Sequence, residues 1–117
     1  MRGAYYRWIP ILVFSLVSCE TRTYEEISGS VTLPQTVKYS QDVQPILAGN
    51  CTVCHSPGGA AGFYPLTDYG LVKNAIDHIL DRVQRPNGDP QKMPQGGSLS
   101  KAHVDILKKW KTDGLQE

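Results

Sequence analysis

The feature that most constrains this chain is a pair of cysteines followed at once by a histidine, in the run Cys51-Thr52-Val53-Cys54-His55. C-x-x-C-H is the sequence signature of c-type haem attachment. Two thiols three positions apart on one turn can reach the two vinyl groups on one side of a porphyrin, and the adjacent histidine then lies beneath the iron. The motif therefore predicts one covalently attached haem per chain, bound through Cys51 and Cys54, with His55 as an axial ligand.

Three other interpretations of the motif compete with this one. A structural zinc site needs four ligands, and the remaining histidines, His78 and His103, are scattered along the chain. A thioredoxin-like redox pair belongs in a βαβ context, yet no strand-like run precedes Cys51. A plain disulfide between the two cysteines would leave His55 unexplained. The residues around the motif must therefore decide between them.

The N-terminus has the pattern of an export signal. A positive start leads into an apolar stretch of about ten residues, which is too short to span a membrane as a helix, since a span needs roughly twenty. The stretch ends in a sequence that resembles the lipobox of bacterial lipoproteins, in which the cysteine is acylated and cleavage occurs just before it. We therefore expect residues 1–18 to be a signal peptide and Cys19 to be lipidated. The residues that carry this pattern are Arg2, Arg7 and Leu16-Val17-Ser18-Cys19.

Residues 19–38 carry Thr, Ser, Gln, Gly and Pro with few large apolar residues, and they predict a flexible tether with at most a short strand over 31–37. The expected location is exported and membrane-anchored, facing the periplasm or the cell exterior. The full chain has 12 basic and 11 acidic residues. Loss of Arg2 and Arg7 with the signal leaves a net charge of about −1, which gives no broad basic surface for nucleic acid.

The remaining residues, 39–117, predict an all-α domain of about three helices. The first is expected over Ser40–Asn50, with Ser40 as the N-cap and Asp42 in the first turn. The second is expected to begin at a Thr67 cap and to end near Gln84, and the last to run from a Ser100 cap to Thr112, before Gly114. The apolar stripe of the second helix is Leu71, Val72, Ala75, Ile76, Ile79, Leu80 and Val83, and that of the last is Val104, Leu107 and Trp110.

Two loops rich in Gly and Pro separate these helices. The loop at 56–62 consists of small residues, which permit a close approach to a flat partner. The loop at 85–97 contains Met93 outside any apolar periodicity, so that core packing explains this methionine poorly. A thioether is a suitable sixth ligand for iron opposite His55. The sequence thus predicts Met93 as the distal ligand, with His103 as the alternative.

Taken together, these motifs resemble the class I cytochrome c domain, and most closely its small bacterial members. The resemblance covers Tyr39 to Leu115 in order, and it implies thioethers at Cys51 and Cys54 and axial ligands at His55 and Met93. It also implies a fold of helices wrapped around the haem. The runs that carry it are Asp42-Val43-Gln44-Pro45-Ile46-Leu47, the C-x-x-C-H motif, Met93-Pro94-x-Gly-Gly, and Leu99-Ser100 leading to Trp110 and Gly114.

The resemblance further implies that the first and last helices cross. Ala48 or Gly49 would then be the close-contact residue against the face from Val104 to Trp110. Lys111 departs from the family pattern, because that position is usually apolar, and this leaves open how firmly the last turn is held.

A histidine and a methionine on one iron leave no open coordination position, so the expected role is one-electron transfer and not catalysis. The expected partners are redox proteins of a respiratory or dehydrogenase chain, with the membrane reached through the lipid anchor and the protein itself a monomer. The alternatives are a haem-based gas sensor or ligand-binding module with a labile Met93, and, with an open site, peroxide reduction.

Overall fold

A computed structural model describes residues 32–117 of the chain. This part consists of three α-helices joined by loops, without a strand, as the sequence predicts. The helices are α1 (Gln44–Asn50), α2 (Tyr69–Val83) and α3 (Lys101–Thr112), and a π-helical turn (Tyr39–Val43) leads directly into α1. In this part, no helix has the length and apolar character that crossing the bilayer requires. The predicted signal peptide, Cys19 and the tether up to position 31 lie outside the described residues.

The first helical segment begins differently from the prediction. Ser40 does not cap it; Lys38 precedes the first turn, and the Asp42 carboxylate accepts a hydrogen bond from the Lys38 backbone N–H at 2.8 Å. The turn is wide, with the Gln44 N–H donating to the Tyr39 carbonyl. The α-helical part starts only at Gln44, which places Pro45 in its first turn. Proline lacks an N–H and is tolerated there because the first N–H groups of a helix have no acceptor within the helix.

Helix α2 carries most of the core. Its N-cap is Asp68, whose side chain accepts from the Leu71 N–H at 3.0 Å, one residue later than the predicted Thr67 cap. Of the predicted apolar stripe, only Leu71 is exposed, at 38%. The others are buried: Val72, Ala75, Ile76, Ile79, Leu80 and Val83.

Helix α3 agrees with the prediction at both ends. The Ser100 hydroxyl accepts from the His103 N–H at 3.2 Å, and Val104, Leu107 and Trp110 are buried. Gly114 follows the helix with φ +90, a left-handed conformation that glycine adopts without steric cost.

Three aromatic side chains join the helical segments. The rings of Tyr39 and Tyr69 lie 5.8 and 6.3 Å from that of Trp110, and 5.6 Å from each other. The Trp110 indole N–H donates to the Gln116 carbonyl at 2.7 Å, and the Tyr69 hydroxyl donates to the Leu115 carbonyl at 2.8 Å. The first turn, α2, α3 and the C-terminal residues therefore meet at one buried cluster.

The expected close contact at Ala48 or Gly49 is wrong. Both residues are exposed, and a Cβ added at Gly49 would meet nothing within 4 Å. The first segment reaches α3 through its π-helical turn instead, where Tyr39 and Val43 are buried beside Trp110. The physical reason is the large aromatic cluster, which brings the turn against α3 and leaves the glycine-bearing end of α1 in solvent.

The last turn of α3 is firmly held in spite of Lys111. That lysine is exposed and forms an ion pair with Asp77 of α2. On the other side of the helix, the Lys109 ammonium donates to both carboxylate oxygens of Asp113, at 2.8 and 2.9 Å. Asp113 also accepts from the Val37 N–H at 2.8 Å, and Val37 is fully buried. The residues just before the first helical turn are thereby fixed to the C-terminal end of α3.

We expect Asp113→Asn to make the stability of the protein less dependent on acid pH. The hydrogen bonds from Lys109 and from the Val37 N–H hold the pKa of Asp113 below its ordinary value. A carboxyl group with a lowered folded-state pKa stabilises the fold fully above its unfolded pKa, about 3.9, and this contribution is lost as pH falls through the folded value. Asp113→Asn should therefore be less stable than wild type at neutral pH, and the difference should shrink as pH falls below about 4. Urea unfolding of both proteins across this range measures it, and a difference that stays constant would contradict the assignment.

Candidate functional site

The Cys51–His55 motif forms a single turn that continues from the end of α1. The Cys51 and Thr52 N–H groups both donate to the Leu47 carbonyl, at 2.8 and 3.0 Å. The N–H groups of Cys54 and His55 donate to a carbonyl within the motif, that of Cys51, at 3.1 and 2.9 Å. The structure thus brings the two predicted cysteines and the predicted histidine together on one turn.

The two thiols of this turn are both free, and they differ in environment. Cys51 is half-buried and packs against the hydrophobic core, whereas Cys54 is exposed. Burial raises the pKa of the Cys51 thiol, so this sulfur stays protonated at neutral pH. A thioredoxin-type nucleophile needs a thiolate, which is favoured by a lowered pKa. The environment of Cys51 therefore gives this chemistry no support.

The ring of His55 is oriented by a backbone carbonyl. Its Nδ1 lies 2.8 Å from the Tyr64 carbonyl oxygen, and the rings of the two residues meet edge to face at 6.1 Å. Because a carbonyl can only accept, Nδ1 carries the proton and Nε2 is left with a free lone pair. Metal-binding histidines are commonly held in this way, with the second ring nitrogen donating to a carbonyl or carboxylate. The arrangement therefore presents Nε2 of His55 as a ligand.

The role of Tyr64 was not predicted from the sequence. Every residue has a carbonyl, so this acceptor has no signature of its own. The one available signal is Pro65, because a residue before proline is pushed into an extended conformation. The backbone bond from the Leu66 N–H to the His55 carbonyl, at 2.8 Å, then holds residues 64–66 beside the histidine.

The glycines of the loop that follows the motif allow it to fold onto its own backbone. A Cβ at Gly59 would lie 2.4 Å from the Cys54 carbonyl oxygen, and one at Gly62 would lie 2.9 Å from that of Ser56. The Ala61 N–H donates to the same Cys54 carbonyl at 2.9 Å. The small residues of this loop predict a close approach to a flat partner, whereas at Gly59 and Gly62 the chain itself makes the close approach.

Met93 lies in the other loop, between α2 and α3, and is half-buried. Its N–H donates to the Arg82 carbonyl in the last turn of α2, at 3.1 Å. Arg85 forms ion pairs with Asp81 and Asp89, which fix the start of this loop. Among residues 32–117, no hydrogen bond or ring contact connects the Met93 loop to the motif turn. Met93 is thus positioned by α2 and independently of His55.

The two histidines outside the motif have different settings. His103 lies in the first turn of α3 and is half-buried, while His78 is exposed on α2. Over the part of the chain that the structure describes, no group of three or more His, Cys, Asp or Glu side chains could hold a metal ion.

The site fits a haem on the two points that the chain itself can test. The two thiols are free and lie on one turn, and the adjacent histidine has the tautomer that leaves Nε2 for iron. Exposed apolar side chains are neighbours of these residues in the chain, since Val53, Phe63 and Tyr64 are 79%, 88% and 39% exposed.

Comparisons of the chain with protein-family models, with curated proteins and with solved structures found no match. Its function therefore has to be inferred from the motif turn, the loop that closes on it and Met93.

Proposed function

We propose that this chain is a mono-haem c-type cytochrome that carries single electrons between redox proteins. The observation that supports this most directly is the geometry at His55. Its Nδ1 donates to the Tyr64 carbonyl at 2.8 Å, on the same turn as two free thiols. A redox disulfide or a structural disulfide would require no such orientation of a histidine ring.

In this proposal, each residue of the site has one role. Cys51 and Cys54 would hold the haem by thioether bonds, and His55 Nε2 and the Met93 sulfur would bind its iron. When bound, the haem supplies a one-electron iron couple, whose potential a methionine ligand raises. With both side chains bound to the iron, no site would be left for another ligand, which is why we propose an electron carrier and not an enzyme. The three helices then correspond to a class I cytochrome c fold.

Met93 lies on a loop whose backbone is anchored, as a loop that carries a ligand to iron needs to be. Its backbone is bonded to the end of α2, and the loop around it is stabilised by its own contacts: the Lys92 N–H donates to the Asp89 carbonyl at 3.0 Å. These bonds anchor the backbone of Met93 to α2 without contact to the motif turn. His103, in the first turn of α3, is the alternative ligand, and it would lower the potential relative to methionine.

We further propose that the protein is exported and anchored to a membrane by acylated Cys19, facing the periplasm or the cell exterior. The tether keeps the cytochrome domain near membrane-bound or periplasmic partners of a respiratory or dehydrogenase chain. Val37 is fully buried and bonded to Asp113, which fixes the end of the tether to the folded domain.

The proposal predicts that haem stays with the polypeptide after denaturation. Thioether bonds at Cys51 and Cys54 survive acidified organic solvent, whereas a haem held by axial ligands alone is extracted. The purified exported protein should give the pyridine haemochrome spectrum of haem c, and the solvent should stay colourless. Cys54→Ala should weaken the attachment to one thioether. A protein without haem, or one that loses haem to the solvent, would contradict the proposal.

Met93→Ala should convert a low-spin haem that resists carbon monoxide into one that binds it readily. The reduced wild-type protein should show no spectral change with carbon monoxide in the absence of denaturant. His103→Ala is the matched control and should leave the spectrum unchanged. If His103→Ala binds carbon monoxide and Met93→Ala does not, His103 is the ligand. Carbon monoxide binding by the wild-type protein would favour the gas-binding alternative.

Cys19→Ser should abolish lipid attachment, because the hydroxyl cannot replace the thiol that is acylated. Labelling with a radioactive fatty acid during expression should mark the wild-type protein and leave Cys19→Ser unlabelled. The variant should appear either in the soluble exported fraction or unprocessed with its signal peptide. Equal labelling of both proteins would contradict the anchor.

A further inference from the structure

The loop that carries Met93 begins and ends at the C-terminal end of α2. The Met93 N–H donates to the Arg82 carbonyl at 3.1 Å, and the Lys92 ammonium donates to the Arg85 carbonyl. The last carbonyls of a helix have no donor within the helix, so the end of α2 offers acceptors to the returning chain. The chain between Arg82 and Met93 is therefore closed at both ends on the same helix.

A single arginine joins this loop to α2 a second time. The Arg85 guanidinium donates through Nε and Nη2 to Asp81 on α2, at 3.0 and 2.9 Å, and through Nη1 to Asp89 in the loop, at 3.1 Å. We call these three residues the Arg85 bridge. A guanidinium holds its N–H donors in a fixed plane and can bind two carboxylates at once, whereas a lysine ammonium is a point charge. The bridge therefore ties the position of Asp89 to that of the helix.

Asp89 transmits this constraint along the loop toward Met93. Its Oδ1 accepts from the Gln91 N–H at 2.7 Å, and its backbone carbonyl accepts from the Lys92 N–H at 3.0 Å. The Gln91 N–H and the Arg85 guanidinium hold the pKa of Asp89 below its ordinary value, so its carboxylate is charged at neutral pH. The residue that binds Arg85 thus also fixes the two residues just before Met93.

We propose that Arg85 is a positioning residue for Met93, which holds the loop against α2 and thereby keeps the methionine sulfur on the iron. This inference rests on the proposed function. The bond between Met93 and Arg82 alone would let the loop pivot about one point, and the Arg85 bridge supplies the second point that prevents it. Because the members of the bridge are partly exposed, its loss loosens the loop locally and leaves the rest of the fold in place.

Imidazole binding to the oxidised haem protein measures how readily the loop opens. A neutral ligand of this kind reaches the iron only when Met93 has left it, so its affinity increases with the fraction of open loop. Arg85→Met removes the charge and the N–H donors while keeping an unbranched side chain. We expect it to bind imidazole about fivefold more tightly than wild type, since two partly exposed ion pairs together change an equilibrium by about that factor.

Three further variants make the test specific. Asp89→Asn breaks the loop side of the bridge but keeps an oxygen for the Gln91 N–H, and it should also tighten imidazole binding. Added to Arg85→Met, it should have little further effect, because both substitutions remove the same contact. Arg85→Lys keeps the charge without the planar donors and should bind imidazole with intermediate affinity. Lys111→Met is the matched control, since it removes an ion pair with Asp77 outside the loop and should bind as wild type does.

Three results would overturn the inference. They are unchanged imidazole affinity in both Arg85→Met and Asp89→Asn, an equal increase in Lys111→Met, or an increase in Arg85→Met that Asp89→Asn does not share. The last of these would mean that Arg85 acts on another group, such as the carboxylates of the haem.

A failure of the proposed function would look different. Wild-type protein that binds imidazole as tightly as Met93→Ala does would contradict Met93 as the ligand. Amide hydrogen exchange at Met93, followed by NMR on the same samples, then decides about the bridge alone. Faster exchange in Arg85→Met would support the bridge as the anchor of the loop, and unchanged exchange would overturn it.

Discussion

The hydrogen bond from the Trp110 indole to the Gln116 carbonyl, at 2.7 Å, is the contact on which the rest of the structure depends. Trp110 is completely buried, so its one polar group needs a partner inside the fold. The chain provides it by turning back after Gly114, and the returning segment also accepts from the Tyr39 N–H at 2.9 Å and from the Tyr69 hydroxyl. One buried side chain thereby fixes the C-terminal residues, and these fix the start of the first segment and of α2.

The site follows from this scaffold because both ends of its loop are anchored in the core. Leu47, where the motif turn begins, is 1% exposed, and Leu66, where the loop ends, is 5% exposed. Between them the chain has little apolar support of its own, and its conformation depends on backbone bonds around Cys54 and His55. A loop carried by a rigid framework is the usual arrangement for binding residues. The orientation of His55 is accordingly a property of the whole fold and not of the motif alone.

How far the sequence predicts this structure differs from element to element. Helix α3 was predicted closely, because a serine cap and a terminal glycine are local signals that few alternatives match. At α2 the N-cap is Asp68 and not Thr67, because both of these adjacent residues have a side-chain oxygen that can cap a helix. The π-helical turn and the exposed Gly49 were missed because they result from packing around Trp110, which no local pattern encodes. For the same reason the sequence located His55 but not the Tyr64 carbonyl that orients it.

The two proposed axial ligands are held in unequal ways, and this inequality bears on the function. The His55 ring is bonded directly through Nδ1 to Tyr64, so its orientation does not depend on any metal. Met93 is held through its backbone N–H, and the ion pairs of Arg85 that support its loop are partly exposed, where such pairs contribute little to stability. In the proposed cytochrome, Met93 is therefore the ligand that would dissociate from the iron more easily than His55. An electron carrier and a gas-binding module built on this fold would share the His55 turn unchanged and differ in how strongly the Met93 loop is anchored to α2.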